Sequence, residues 1–462
     1  MPFSKGWRNT LLFKGISVLN EDFSVTQGLD LRTEGSLIAS ITGGDADGPC
    51  AGRSGCPAKG PSLCLDNGPV IDGRGKLLMP GFYNAHGHAP MTIMRGYGEN
   101  MALMDWLTKK ITPFEDRLTG PDCYHATLLT LAESFSQGIV SSSDQYLFCE
   151  DIVRAAAESG AKLNASRGLA LLDREKDING FRPFQESKKL FESCHETSEG
   201  RIRVDIGLHA EYTATAGLIE AVAGLVNDTG APVHVHVSET RGEHEQCKER
   251  NGGRTPARVL ADGGVFSKGG YAAHCVWVEE EDADIFAENG VTVVSCPVSN
   301  MKLASGIARV PLLLEKGVNV ALGTDGAASN NSMDFFEEMK LLALSAKARF
   351  GDPALITPRE ALYAATRAGA LAQGRMDCGY IKEGFRADMV VVDLASPSMN
   401  PVFDMANSLV FSAGGRDILM TVVDGLVVYE KGAFPTIDME KTIYEVESAR
   451  RRILGELEAG AK

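Results

Sequence analysis

From residue 77 to about residue 330, short apolar segments of strand composition alternate with helical stretches, and this repetition limits the fold more than any other feature of the chain. Eight such segments can be counted, ending near His88, Asp144, Arg167, His209, Ser238, Cys275, Cys296 and Asp325. Eight parallel strands joined by crossover helices can close into a barrel. Helices are expected between them at Asp122 to Gln137, Glu150 to Ser159, Ala216 to Asn227, Thr255 to Asp262, Glu279 to Asn289 and Val310 to Lys316. Gly138, Gly160 and Gly290 follow three of these, where a left-handed cap residue is wanted.

Strand-rich pieces flank this region. Leu11 to Leu19 and Ser36 to Ile41 precede it; Ala387 to Asp393 and Thr421 to Tyr429 follow, the last broken by an Asp424-Gly425 hairpin turn. Thr357 and Glu360 form a capping box, with Pro358 at the first helical position. The expected fold is therefore a (β/α)8 TIM-like barrel over residues 77–379. A small β-sandwich would be assembled from residues 1–76 and 380–435, with a charged amphipathic C-terminal helix over 436–462. Between Gly43 and Gly68 runs a Gly-, Pro-, Asp- and Ser-rich loop with Cys50, Cys56 and Cys64, whose spacing matches no metal pattern; it is expected to be a surface insertion.

Lys and Arg number 46 against 61 Asp and Glu, a net charge of −15, which disfavours nucleic acid and acidic membrane surfaces as partners. A small neutral or cationic substrate suits that balance better. Met1 to Asn20 lacks the pattern of a signal peptide, and no apolar run has the length to span a bilayer. The ten cysteines are scattered, without Cys-x-x-Cys pairs, so reduced thiols in a cytoplasm are expected.

His86 and His88 lie two apart in extended chain, so both side chains converge on one point. Alone, the pair is either half of a metal site or two strand-end residues satisfied by hydrogen bonds. The other strand ends decide between these. His234 and His236 share a face at the fifth, with Glu239 three residues beyond; His274 ends the sixth; Asp325 ends the eighth. All nine histidines fall between residues 86 and 274, and five of them (86, 88, 209, 236 and 274) stand at expected strand ends. Three imidazoles and a carboxylate around an open position suit zinc or another divalent ion holding a water whose pKa falls toward about 7.

Five strings together resemble the amidohydrolase superfamily: Pro80-Gly81-Phe82 with Asn84-Ala85-His86-Gly87-His88, His236 to Thr240, Ala273 to Val276, Pro297 to Gly306, and Gly323 to Ser329. Within it they are similar to the branch of S-adenosylhomocysteine and 5′-methylthioadenosine deaminases and triazine chlorohydrolases. The resemblance implies that His86, His88, His236 and Asp325 bind one divalent metal, zinc first, with iron(II) or manganese(II) as alternatives. No lysine ends the fourth strand, where binuclear relatives carry a bridging one; His209 stands there. Glu239 and His274 would flank the metal-bound water. Asp325 would accept the water proton, Glu239 would protonate the ring nitrogen, and His274 would stabilise the attacking oxygen. Substrate contacts implied by the same resemblance are Trp106, Glu115, His209 and Ser329, with Glu239 on the ring. Arg167 could meet either an anionic end of a substrate or a neighbouring carboxylate.

The implied activity is deamination of an adenine nucleoside (S-adenosylhomocysteine, 5′-methylthioadenosine or adenosine) with release of ammonia. Deamination of guanine, an oxidised purine or a pterin, and dechlorination of a triazine, are the nearer alternatives; a non-catalytic barrel scaffold is the distant one. Relatives of this kind imply a homo-oligomer, dimer or tetramer.

Overall fold

The computed structural model describes residues 10–43, 68–173, 177–178 and 180–460; the loop with Cys50, Cys56 and Cys64 lies outside them. Seventeen strands are described: β1 (Leu12–Leu19), β2 (Val25–Glu34), β3 (Leu37–Gly43), β4 (Val70–Asp72), β5 (Lys76–Pro80), β6 (Phe82–Gly87), β7 (Ile139–Tyr146), β8 (Lys162–Arg167), β9 (Ile202–Val204), β10 (Ile206–Ala210), β11 (Val233–Val237), β12 (Gly270–His274), β13 (Val291–Ser295), β14 (Val320–Leu322), β15 (Met389–Asp393), β16 (Ile418–Val423) and β17 (Leu426–Glu430).

Nine of these form two parallel sheets, ordered β6-β7-β8-β9 and β10-β11-β12-β13-β14. Asp205 alone separates β9 from β10. At the other edges, a parallel bridge joins Gly87 to Asp325, and the Asp325 N–H donates to His86 O at 3.1 Å. The strands read as unbroken apolar runs because both faces are covered: Val235, Val293 and Leu322 are fully buried. Helices Gly120–Ser136, Cys149–Ser159, Ala216–Thr229, Pro256–Asp262, Glu280–Glu288 and Val310–Glu315 stand within two residues of the expected bounds. Helices Arg182–Cys194, Arg241–Arg250 and Phe335–Phe350 were not anticipated.

The strands at the two ends of the chain meet in one eight-stranded mixed sheet, ordered β17-β16-β15-β5-β1-β2-β3, with β4 beside β1. Leu77, Leu78 and Met79 belong to this sheet: β5 runs antiparallel to β15, with Met389 opposite Pro80. The chain then turns at Gly81, where a Cβ would stand 2.3 Å from Val140 Cγ1, and enters β6. Asp424-Gly425 makes the hairpin between β16 and β17, both residues at positive φ (47° and 77°). Helix Met439–Gly460 buries Val446, Ala449 and Ile453 and packs on Gly120–Ser136, where Arg452 meets Asp122 at 2.5 Å. No helix among the described residues is long and apolar enough to cross a membrane.

Candidate metal centre

The C-terminal ends of β6, β11 and β12, and the residue sequence after β14, deliver His86, His88, His236, His274 and Asp325 to one point. The ligand atoms of His86, His88 and His236 lie within 4.8 Å of one another, as do those of His86, His274 and Asp325. Asp325 Oδ1 stands 3.5 Å from His86 Nε2 and 3.2 Å from His88 Nε2, and the Nε2 atoms of His88 and His236 are 3.3 Å apart. Three strand ends reach this geometry through left-handed backbone at non-glycine residues: Ser238 (φ 49°), His274 (φ 69°) and Asp325 (φ 62°). Such conformations cost free energy and cluster where function demands a particular side-chain direction.

Hydrogen bonds fix which ring nitrogen faces inward. His88 Nδ1–H donates to Gln145 O at 2.6 Å and His236 Nδ1–H donates to His209 O at 2.7 Å; a carbonyl only accepts, so each Nε2 is turned to the centre. For His86 a chain of partners gives the same answer. The Ser166 hydroxyl donates to Asp144 O at 3.1 Å, so it accepts from His234 Nδ1–H at 3.3 Å. His234 Nε2 is then a lone pair, accepting from His86 Nδ1–H at 2.7 Å. That leaves a bare lone pair on the buried, otherwise unpartnered His86 Nε2, aimed at a carboxylate.

Two electron-pair donors facing each other in a dry site need a cation between them. Burial lowers the pKa of His86 to about 3, keeping it neutral. Burial opposes charge on His88 too, but the Asp325 carboxylate outweighs it and raises His88 to about 9. Asp325 itself, although burial works against ionisation, is held well below the ordinary range by His86 and His88. A divalent cation would supply the positive charge this carboxylate otherwise draws onto imidazole. The donor set of three imidazole nitrogens and one carboxylate oxygen, with each Nδ1 already tied, fits a single zinc-type ion.

Glu239 is 6% exposed; its Oε1 accepts from Ser305 at 3.4 Å and its Oε2 lies 3.8 Å from His274 Nε2. Burial raises its pKa, with the His274 charge pulling the other way. Its backbone is clamped by Glu243, which accepts from the N–H groups of Ser238 (2.9 Å) and Glu239 (2.8 Å). His274 Nδ1–H donates to Asn300 Oδ1 at 2.8 Å. Asp325 Oδ2 accepts from Ser299 at 2.6 Å and from Ser329 at 2.8 Å, freeing Oδ1 for the centre.

Of the expected substrate contacts, His209 has its ring centroid 5.0 Å from that of His236, and burial lowers its pKa to about 4. Burial raises the pKa of Glu115, with Tyr146, His88 and Arg167 pulling the other way. Trp106 packs in a buried apolar cluster with Phe114 and Leu118. Ser329 stands behind the Asp325 carboxylate, and Arg167 pairs with Glu186 at 3.0 Å. Among the orienting residues, the sequence points to His234 as the strand-five partner of His236 but gives no sign of the roles of Gln145, Ser166, Glu243, Ser299 and Asn300, although Ser299 and Asn300 lie inside the Pro297 to Gly306 string.

Parallel strands that gather three imidazoles and a buried carboxylate at their C-terminal ends define a metal-binding centre of the TIM-barrel type. The chain belongs to the amidohydrolase family, whose model matches residues 77–428. It is 40% identical over 385 residues to a 5′-deoxyadenosine deaminase of Methanosarcina mazei, covering 83% of this chain and 88% of that one. It is 37% identical over 450 residues to a 5-methylthioadenosine/S-adenosylhomocysteine deaminase of Caldanaerobacter subterraneus subsp. tengcongensis, covering 97% and 99%. Among solved structures, a zinc-bound adenosine deaminase from Xanthomonas campestris superposes with a TM-score of 0.86 at 28% identity, covering 96% of this chain and 98% of that one. A triazine hydrolase from Arthrobacter aurescens shares the fold, with a TM-score of 0.83 at 24% identity over 96% and 99%.

Proposed function

We propose that this chain is a metal-dependent aminohydrolase that deaminates an adenine nucleoside, replacing the ring amino group with oxygen and releasing ammonia. The observation that carries the reading is the bare His86 Nε2 lone pair facing Asp325 Oδ1, with Glu239 and His274 beside them. The deaminase relatives support the substrate class.

His86, His88, His236 and Asp325 would hold one zinc ion. When bound, such an ion lowers the pKa of a water toward about 7 and so supplies the nucleophile. Asp325, whose carboxylate ionises readily, accepts a proton from the attacking water. Glu239, whose pKa burial raises, gives a proton to the ring nitrogen next to the reacting carbon and passes on the one that departing ammonia needs. His274, oriented by Asn300, faces the attacking oxygen and stabilises charge there. His209, Glu115 and Trp106 line the nucleoside site.

The same reading takes the parallel strands β6 to β14 as parts of one closed (β/α)8 barrel that begins at Phe82 and not at residue 77, because β5 pairs with β15 in the mixed sheet. The described strands of the two chain ends make the one mixed sheet and Met439–Gly460 the terminal helix, in a cytoplasmic dimer or tetramer. An ammonia-release screen of metal-loaded protein over purine nucleosides, free purines, pyrimidines, pterins and triazines tests the function. Turnover confined to adenine nucleosides is expected; release from guanine or a triazine alone would overturn it.

A further inference from the structure

Lys302, the last residue of helix Pro297–Lys302, ties together loops that leave three strand ends. Its Nζ donates to Glu99 Oε1 at 2.9 Å, in the loop after β6, and to Asn331 Oδ1 at 2.6 Å, in the loop after β14. Asn331 Nδ2 closes the triangle on Glu99 Oε1 at 3.2 Å, and Asn331 O accepts from Arg95 Nη1 at 2.6 Å. Both arms of this tie lead back to groups already placed. On the helix, Ser299 donates to Asp325 Oδ2 and Asn300 accepts from His274. On the loop, Gly98, the neighbour of Glu99, lies against the Trp106 indole at a φ of 88°: a Cβ there would stand 3.0 Å from Trp106 Cδ1 and 3.1 Å from Lys110 Cγ. Tyr97, Met101 and Leu303 pack on the apolar cluster that contains Trp106.

We propose that Lys302 is a positioning residue: by holding Glu99 it keeps the Gly98 turn against Trp106 and so fixes the indole relative to the metal centre. That the indole meets a nucleoside rests on the adenine-nucleoside reading. The Lys302 and Glu99 side chains are 25% and 36% exposed, and an ion pair so placed contributes little to the stability of the whole fold. What it does is choose among loop positions. The same six-residue helix that orients Asp325 and His274 thereby sets the place of Trp106, so the metal side and the substrate side of the site share one support. A loop held this way binds the nucleoside equally well before and during the reaction, so its loss raises KM and leaves kcat alone.

On metal-loaded full-length protein, Lys302→Met is expected to raise KM for 5′-methylthioadenosine about fivefold, the upper range for an exposed ion pair, with kcat, metal content and urea midpoint unchanged. Glu99→Gln should do the same, the double variant should add nothing further, and Lys302→Arg, which keeps the charge, should hold the wild-type KM. Tryptic cleavage after Lys109 and Lys110, which reports local opening of the Trp106 segment, should quicken by a similar factor in Lys302→Met and Glu99→Gln. KM and cleavage unmoved in both variants, or kcat falling with KM unchanged, overturns the inference alone. A urea midpoint lowered along with them makes the pair a part of the general fold and overturns it too. Should no adenine nucleoside release ammonia, the reading of function falls, and the cleavage rates by themselves then decide whether Lys302 holds the segment.

Discussion

His86 Nε2 and Asp325 Oδ1 face each other across 3.5 Å as two electron-pair donors, and the His234 ring behind His86 is what keeps them so. By accepting from His86 Nδ1–H, His234 denies Nε2 the proton that would otherwise satisfy the carboxylate. Replacing His234 by Phe removes the acceptor and lets His86 take the other tautomer. Metal affinity is expected to fall about 10- to 100-fold, the usual loss for a group that orients a ligand. Competition against a chromophoric chelator measures it; affinity unchanged within a factor of two would mean that the tautomer is set elsewhere.

Glu239 sits next to the centre without facing it as the ligands do: Oε2 is 3.8 Å from His274 Nε2, and the backbone is held by Glu243. Glu239→Gln keeps the shape and removes the transferable proton. The expected result is a kcat lowered by about 10²- to 10⁴-fold with one metal per chain retained. Loss of the metal along with activity would instead make Glu239 a ligand.

The strand ends were legible because each apolar run stops where a polar residue must reach the site. Arg167 closes β8 as expected, and β14 ends three residues before Asp325. What the sequence could not show is pairing at a distance. Leu77, Leu78 and Met79 look the same whether they lead a barrel strand or lie in the mixed sheet, and only the β15 partner decides. Ser299 and Asn300 acquire their roles because helix Pro297–Lys302 folds over Asp325 and His274, contacts 26 residues away in each case. Helix Phe335–Phe350 does carry a local signal, Asp334, whose side chain accepts from the N–H groups of Phe336 and Glu337 as an N-cap.

Asp205, between β9 and β10, is fully buried with Asn164 donating to it at 3.1 Å, and burial raises its pKa from the ordinary 3.8 to about 6. A raised carboxyl pKa means that the folded chain binds the proton more tightly. The stability it brings is therefore complete below about pH 4 and lost as pH rises through about 6. The step is worth up to about 3 kcal/mol. Asp205→Asn should flatten the fall in unfolding free energy between pH 4 and pH 7 by an amount of this order, read from urea titrations at each pH. An identical slope in both proteins would mean that Asp205 is already ionised in the fold at pH 4.

Lys162 opens β8 and is 2% exposed, held between Asp388, just before β15, and Asp424, in the hairpin after β16, the latter at 2.8 Å. Asp388 also accepts from the Tyr83 hydroxyl at 2.6 Å and from the Asp424 N–H at 2.9 Å. One ammonium thus serves two carboxylates, one ahead of each of two strands of the mixed sheet and its hairpin, from the start of a strand in the parallel sheets. A buried pair contributes little relative to a well-packed apolar replacement, but removing one partner strands the others in a medium of low dielectric. Lys162→Met leaves two carboxylates facing each other with only Arg386, 3.7 Å from Asp424, to offset them, so unfolding free energy should fall by about 3–5 kcal/mol. Lys162→Met combined with Asp388→Asn should recover part of that loss by removing one of the stranded charges. Urea denaturation of the single and double variants measures both, and a single variant within about 1 kcal/mol of wild type would show that the two carboxylates take up protons at no cost to the fold.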